Sequence, residues 1–311
     1  MTQTPFIPLF SGGSGRSGTT IIVNLLDRHD LVHTSLPREI RYLTDSFGLL
    51  DLNLGTSRRI HGRRIARRNN TISIGLKLFR DGEADFFLKR LNSTWWSKTG
   101  KPGMPRGLIQ GIPREILHEI SQQFRNNMKR NKYLASRELF FSLSNAQIQK
   151  PRVKYFADST PLNIMNADRL YQLFPESYFI NMLRDGRDVA YSVCQEKWGP
   201  SDPLLGLEWW KSRVLRGHLA TAQLPQKNVL HMRLEDLVQR DREGSYAQLL
   251  NFLNLDHVEK MDTYFNEVLT VENMSQGVWK SEVNCPEDFD RRYQQILREL
   301  AEQGLTIAQH Y

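Results

Sequence analysis

The sequence predicts an α/β protein, a single domain whose central parallel sheet is covered by helices on both faces. Three observations predict it. An apolar run, Phe6 to Phe10, leads into a glycine-rich turn and then an apolar helical face. A second apolar, β-prone run, Ser177 to Leu183, leads into Arg184-Asp185-Gly186-Arg187-Asp188 and another helical pattern. Shorter strand candidates alternate with helical patterns along the rest of the chain, which is the signature of crossover connections.

In order along the chain, the run Phe6 to Phe10 reads as a strand. Ser11-Gly12-Gly13-Ser14-Gly15-Arg16-Ser17-Gly18-Thr19-Thr20 breaks it and sets a turn. Ile21, Ile22, Val23, Leu25 and Leu26 supply the inner face of a helix that ends near His29. From about 55 to 110 the Arg, Asn, Gly and Pro content predicts an insertion or a long excursion from the sheet. Helical patterns follow at 112–131 and 136–147, a strand at Val153 to Ala157, and a helix at 162–174. After the strand at 177–183, Asp185 and Asp188 resemble a capping pair for a new helix. A helix at 203–222, a strand at Asn228 to Met232 and helices at 245–254 and 286–303 complete the reading. With no internal repeat and no clear linker, residues 1–311 read as one domain.

Composition bounds the function. The chain has 311 residues, 40% hydrophobic and 24% charged, with two cysteines and a net charge of +8. That apolar fraction excludes wholesale disorder. Two cysteines, Cys194 and Cys285, exclude a disulfide scaffold and a four-cysteine zinc site. No apolar run approaches a membrane span, and the opening MTQTPFIPLF is too short for a signal peptide. The expectation is a soluble, cytoplasmic protein with anionic partners. Arg58, Arg59, Arg63, Arg64, Arg67 and Arg68 carry six of those charges within eleven residues. They read either as a solvated loop or as a surface for an anionic acceptor. Nucleic acid is not expected, because no zinc-finger spacing or RNA-reading aromatic motif accompanies them.

The glycine-rich loop resembles the phosphate-loop pattern of Gly, four residues, Gly, Lys, Ser/Thr. Gly13 and Gly18 have that spacing and Thr20 fills the last place, but Thr19 stands where the lysine belongs. Glycines let backbone N–H groups approach an anion, and the following helix adds its positive end. Thr19, Thr20 and Arg16 add side-chain donors. Such a loop holds a phosphate but lacks the cation with which kinases and NTPases reach the β- and γ-phosphates.

Gly15-Arg16-Ser17-Gly18-Thr19-Thr20 resembles the loop that grips the 5′-phosphosulfate in sulfotransferases using 3′-phosphoadenosine 5′-phosphosulfate. The longer stretch, Pro8 through His29, is similar to the tyrosylprotein sulfotransferases in particular. Arg184-Asp185-Gly186-Arg187-Asp188-Val189-Ala190-Tyr191-Ser192 resembles the family's 3′-phosphate motif, in which an arginine at a strand end and a serine eight residues later bind that group. The resemblance covers about 6–45, 153–198 and 228–237. It implies a phosphate-loop sulfotransferase fold, with Gly15, Arg16, Ser17, Gly18, Thr19, Thr20, Arg184 and Ser192 around the donor. Gly277-Val278-Trp279-Lys280 looks like the family's segment that closes over the adenosine, which implies donor contacts for Trp279 and Lys280. Residue chemistry agrees: a donor with phosphates at both ends of a ribose needs two anion pockets, each at a strand end.

Sulfuryl transfer to a hydroxyl is an in-line displacement at sulfur, and the departing phosphate is already gripped, so no metal is obligatory. Arg16 and the loop amides would stabilise charge on the bridging oxygen. In tyrosylprotein and heparan sulfotransferases a glutamate in a Glu-x-basic segment is the base, and Pro37-Arg38-Glu39-Ile40-Arg41 is similar. That resemblance makes Glu39 the first candidate, with His33 and Asp158 next. Asp158-Ser159-Thr160-Pro161 resembles a segment in which relatives often carry a lysine, and Ser159 stands in its place here; Lys154, Lys280 or Arg16 would then supply the cation. The acceptor, whether glycan, lipid, tyrosine or small metabolite, is not legible. The competing readings are a phosphate-loop kinase, disfavoured by Thr19 and by the lack of an acidic magnesium partner, and a non-catalytic anion-binding protein of the same fold.

Overall fold

Five parallel strands form the central sheet, in the order Val32–Thr34, Tyr155–Asp158, Ile7–Gly13, Tyr178–Leu183 and Val229–Arg233. The computed structural model describes residues 6–55, 82–99 and 105–305. The strands are β1 (Ile7–Gly13), β2 (Val32–Thr34), β5 (Tyr155–Asp158), β6 (Tyr178–Leu183) and β7 (Val229–Arg233). A separate two-stranded hairpin pairs β3 (Lys98–Thr99) with β4 (Pro105–Arg106). The helices that place the site are α1 (Thr19–Leu26), the single turn α2 (Arg41–Thr44), α3 (Leu49–Leu54), α4 (Glu83–Leu91), α5 (Arg114–Met128), α6 (Lys132–Asn145), α7 (Leu162–Met165), α8 (Ala167–Leu173), α9 (Gly186–Cys194), α10 (Pro203–Thr221), α11 (Arg242–Leu253), α12 (Glu259–Glu267), α13 (Trp279–Glu282) and α14 (Pro286–Ala301).

Successive side chains of a strand point to opposite faces, and both faces of this sheet are covered. Phe10, Phe156 and Phe179 face one side, where α2 to α6 and α8 pack on them. Leu9, Tyr155, Ala157 and Ile180 face the other, under α1, α11 and α12. The phenylalanine rings on the first side are fully buried, each contributing about 1.5–3 kcal/mol over its exposed state. A third cluster, around Trp210 and Tyr293, joins α9, α10, α13 and α14.

The chain leaves β1 for β2 at one edge, returns through β5 beside β1, then crosses to β6 and β7 on the other side. The direction therefore reverses between β1 and β6. Their register sets Gly13 opposite Met182, so both strands end at the same level. The crevice at such a reversal, outside the carboxyl ends of the strands, is where parallel sheets place ligands.

The strands differ from the predicted ones by a few residues at their ends, the largest change being β1, which runs on through Gly13. The predicted helix at 162–174 is two short helices, α7 and α8. Asn166 leaves the helical region at φ −128°, ψ 23°, and its side chain donates to the Leu162 carbonyl at 2.9 Å. Within the predicted excursion, α4 and Leu108 pack into the first core cluster. The cluster Arg58 to Arg68 lies outside the described residues. Cys194 and Cys285 are both free, and no helix among the described residues is long and apolar enough to cross a membrane.

Candidate active site

The loop after β1 is built from left-handed backbone. Gly15 (φ 87°), Arg16 (φ 59°) and Gly18 (φ 90°) all have positive φ. Glycine is needed for space as well. A Cβ on Gly13 would lie 2.4 Å from the Met182 carbonyl oxygen, and one on Gly18 would lie 2.9 Å from Leu234. The amides of Gly15 through Thr20 donate to no group among the described residues, and no side chain caps α1. Ser17 Oγ is buried and also unpartnered among them. Left-handed turns running into an uncapped helix start create a concavity rich in N–H donors, at the positive end of the helix. Thr19 is buried at its base and Thr20 is exposed. These features fit a phosphate.

The β6 end supplies the second half. Arg184, only 12% exposed, donates through Nη1 to the Arg16 carbonyl at 3.0 Å. Its Nη2 donates to the Ser275 carbonyl. Arg16 in turn donates through Nε to Ser192 Oγ at 2.9 Å. Three residues singled out in two distant motifs are thus joined in one hydrogen-bonded chain. The Arg16–Glu196 pair, 3.4 Å apart and well exposed, adds little.

Asp185 caps α9 by accepting from the Arg187 amide at 2.8 Å. Asp188, the other half of the predicted capping pair, instead accepts from the Gly277 amide at 2.8 Å. Burial pushes the Asp188 carboxyl up, opposed by Arg184. This bond brings the 277–280 segment against α9. Trp279 is 6% exposed, packs against Phe289 and lies under the Arg187 guanidinium at 4.8 Å. Lys280 is exposed, with Nζ 5.9 Å from the Trp279 ring.

Glu39 lies on the segment between β2 and α2, exposed at the wall of a cavity of about 350 Å³ with Trp95, Arg106 and Leu108. Partial desolvation in that cavity raises its pKa, and Arg41 and Arg106 pull it back. Asp158 anchors the segment. Fully buried at the end of β5, it accepts from the Ile40 amide at 2.8 Å, the Thr160 hydroxyl at 2.9 Å and Asn163 Nδ2 at 2.7 Å. Ser159 adds two bonds at 2.9 Å, from its amide and hydroxyl to the Arg38 carbonyl. Of the other candidate base, His33, the neighbours are Phe156, Asp27, Lys150 and Arg38. Lys154 precedes β5 at the opposite end of the sheet and donates to the Leu253 and Asn254 carbonyls.

Burial raises the Asp158 pKa to about 6, against the hydrogen bonds that favour its charged form. A carboxyl whose folded pKa exceeds its unfolded value binds more protons in the native state. Stability therefore falls as pH rises from about 4 to about 6, then levels off. Asp158→Asn should remove this component and cost about 1–3 kcal/mol, since one of the amides or hydroxyls at Oδ1 and Oδ2 loses its acceptor. Urea unfolding of both proteins from pH 4 to 7 checks this; parallel pH profiles would contradict it.

Three further site residues are not among the sequence-based candidates. Arg213, on α10, donates to the Ser14 carbonyl at 3.0 Å and stacks on Trp209 at 4.0 Å. Burial, then Arg216, lowers its pKa to about 10. Trp209 reaches within 3.5 Å of a Cβ built on Gly15, and the 61%-exposed Trp198 packs against it. Glu235, buried beyond the end of β7, accepts from the Asp185 amide at 2.8 Å. Its position at a third strand end was a usable clue; Arg213 and Trp209 sit mid-helix, where nothing in their spacing points to the loop.

A parallel α/β sheet with a loop of amides unpartnered among the described residues at its direction reversal and a largely buried arginine at the neighbouring strand end belongs to the class of α/β proteins whose strand-end loops are suited to phosphate-bearing ligands. Within that class, a model of the sulfotransferase family matches residues 79–259, more than half of the chain, and the chain belongs to that family. Solved structures similar to it include the sulfotransferase domain of the Synechococcus PCC 7002 olefin synthase, with 17% identity, 84% of this chain and 78% of that one covered, and a TM-score of 0.47. Sulfotransferase STF9 from Mycobacterium avium is 13% identical, with 96% and 77% covered and a TM-score of 0.48. Mouse sulfotransferase SULT7A1 complexed with PAP is 12% identical, with 99% and 90% covered and a TM-score of 0.43. A search of curated protein sequences gave no match.

Proposed function

We propose that the chain transfers a sulfuryl group from 3′-phosphoadenosine 5′-phosphosulfate to the hydroxyl of an acceptor, with Glu39 as base. One observation carries this reading. Arg184 at the β6 end is bonded to the loop at Arg16, and Arg16 to Ser192, so the two segments that carry the donor motifs lie side by side at the sheet's reversal. The loop amides with Arg16, Thr19 and Thr20 would hold the 5′-phosphosulfate, while Arg184 and Ser192 would hold the 3′-phosphate. In the transfer, the acceptor oxygen bonds to sulfur as the sulfur–oxygen bond to the 5′-phosphate breaks. The hydroxyl proton passes to the Glu39 carboxylate, and the charge developing on the leaving phosphate falls to the loop donors. Trp279 and Lys280 approach this region through the Asp188–Gly277 bond.

The product 3′-phosphoadenosine 5′-phosphate (PAP) tests donor recognition without knowledge of the acceptor. Present at about 100 times its Kd, a ligand of the native state stabilises it by about 2.7 kcal/mol. PAP should therefore raise the melting midpoint by several degrees, with no requirement for magnesium. No shift at millimolar PAP would overturn the donor assignment.

A further inference from the structure

Beside the donor loop lies a second cavity, of about 440 Å³, walled by Arg41, Arg90, Arg169 and Arg216 together with Asp45 and Asp51. Its charges do not cancel. Asp45 is 3.5 Å from Arg41 and Asp51 is 3.1 Å from Arg169. Arg90 and Arg216 have no carboxylate within ion-pair distance among the described residues. Uncharged groups hold them in place instead. Arg216 donates to the Met165 carbonyl at 3.1 Å and to Asn166 Oδ1 at 3.3 Å. Arg90 donates to the Ser46 carbonyl and stacks on Trp95 at 4.0 Å. Partial burial disfavours both charges, as does a neighbouring guanidinium, Arg41 for Arg90 and Arg169 for Arg216; Asp45 and Asp51 for Arg90, and Asp168 and Asp51 for Arg216, offset this only in part, and both arginines stay below their usual range. Two partly desolvated, pre-positioned cations in excess make a poor way to stabilise a fold and a good way to bind an oxyanion.

The cavity's position ties it to the reaction. Arg216 lies one helical turn beyond Arg213, which bonds the loop at Ser14. Leu162, in its wall, follows Pro161, whose carbonyl accepts from the Gly13 amide at 3.2 Å. Arg41 lines both this cavity and the one holding Glu39. A molecule with its hydroxyl at Glu39 has a cationic pocket next door.

We propose that this cavity is an acceptor subsite for an oxyanion group, a carboxylate, sulfate or phosphate carried by the hydroxyl-bearing substrate. The inference rests on the sulfuryl-transfer reading for the word acceptor, but its anion site is tested independently. The probe is inorganic phosphate, titrated against thermal melting of protein already saturated with PAP, so that the donor loop is filled. Wild-type protein should gain a saturable second shift. Arg90→Gln/Arg216→Gln should weaken the phosphate midpoint by at least roughly tenfold, two charge-assisted contacts being lost, while the PAP shift persists. The single variants, read separately, should each lose part of the affinity, which keeps the test open if the double variant does not fold. An identical phosphate response in wild type and variants overturns the subsite. Absence of a PAP shift overturns the donor reading, and the wild-type against variant comparison in phosphate alone still decides the cavity. Repeating the titration with sulfate and with acetate distinguishes which oxyanion it prefers.

Discussion

Glu39→Gln should lower turnover by roughly a hundredfold or more while leaving PAP binding nearly intact. The amide keeps the shape of the side chain and loses only its capacity to take a proton. Among the described residues no hydrogen bond or ion pair joins it to the loop after β1; the residue sits on its own segment, held from below by Asp158 through the Ile40 amide. The partial desolvation that raises the Glu39 pKa also predicts an acid limb in the rate profile, centred above the ordinary glutamate value and missing in the variant. The rate is measured as PAP release from the phosphosulfate donor once an acceptor is in hand. Undiminished turnover would remove Glu39 from the role, and Asp158 would not replace it, since its oxygens are buried and committed to Ile40, Thr160 and Asn163.

Arg184→Ala should weaken PAP binding by roughly a hundredfold, the loss of two charge-assisted contacts to one phosphate. Arg184 also supports the loop through the Arg16 carbonyl, so the alanine variant removes a ligand contact and a positioning contact together. Ser192→Ala spares the Arg184 contacts but also takes away the acceptor of Arg16 Nε. It deletes one hydroxyl donor and leaves the Arg184–Arg16 bond in place, and should cost roughly tenfold. Arg184→Lys should fall between, because an ammonium keeps the charge but not the planar fork. Equal PAP affinity in wild type and Arg184→Ala would place the 3′-phosphate elsewhere.

Local signals in the chain carried the framework. The strand–loop–helix unit at β1 and its counterpart at β6 announce themselves through apolar runs that stop at glycine or at a capping aspartate. The register that brings Gly13 level with Met182 turns those two signals into one crevice. Strand β2 escaped notice because three residues give no periodicity to read. The helix over 162–174 broke at Asn166 because a side chain that bonds its own backbone competes with the helix. The site's other half was invisible for a different reason. Arg213, Arg216 and Arg90 look like ordinary solvated charges on helices, and only the packing of α10 brings Arg213 to the loop and, with α4, makes Arg216 and Arg90 cavity walls. Asp158 was legible as a candidate but its part was not: it and Glu235 are polar groups whose value comes from the distant amides they accept from, Ile40 and Asp185. The net charge of +8 thus resolves in part into arginines at strand ends and arginines around a cavity.

The central claim is that the loop after β1 and the arginine after β6 together hold a nucleotide with phosphates at both its 5′ and 3′ positions. Calorimetric titration of the wild-type protein with PAP and with adenosine 5′-phosphate, which lacks only the 3′-phosphate, tests it most directly. PAP should bind at least roughly tenfold tighter, and Arg184→Ala should erase the difference. Equal affinity for the two nucleotides, or a preference that survives the loss of Arg184, would contradict the account.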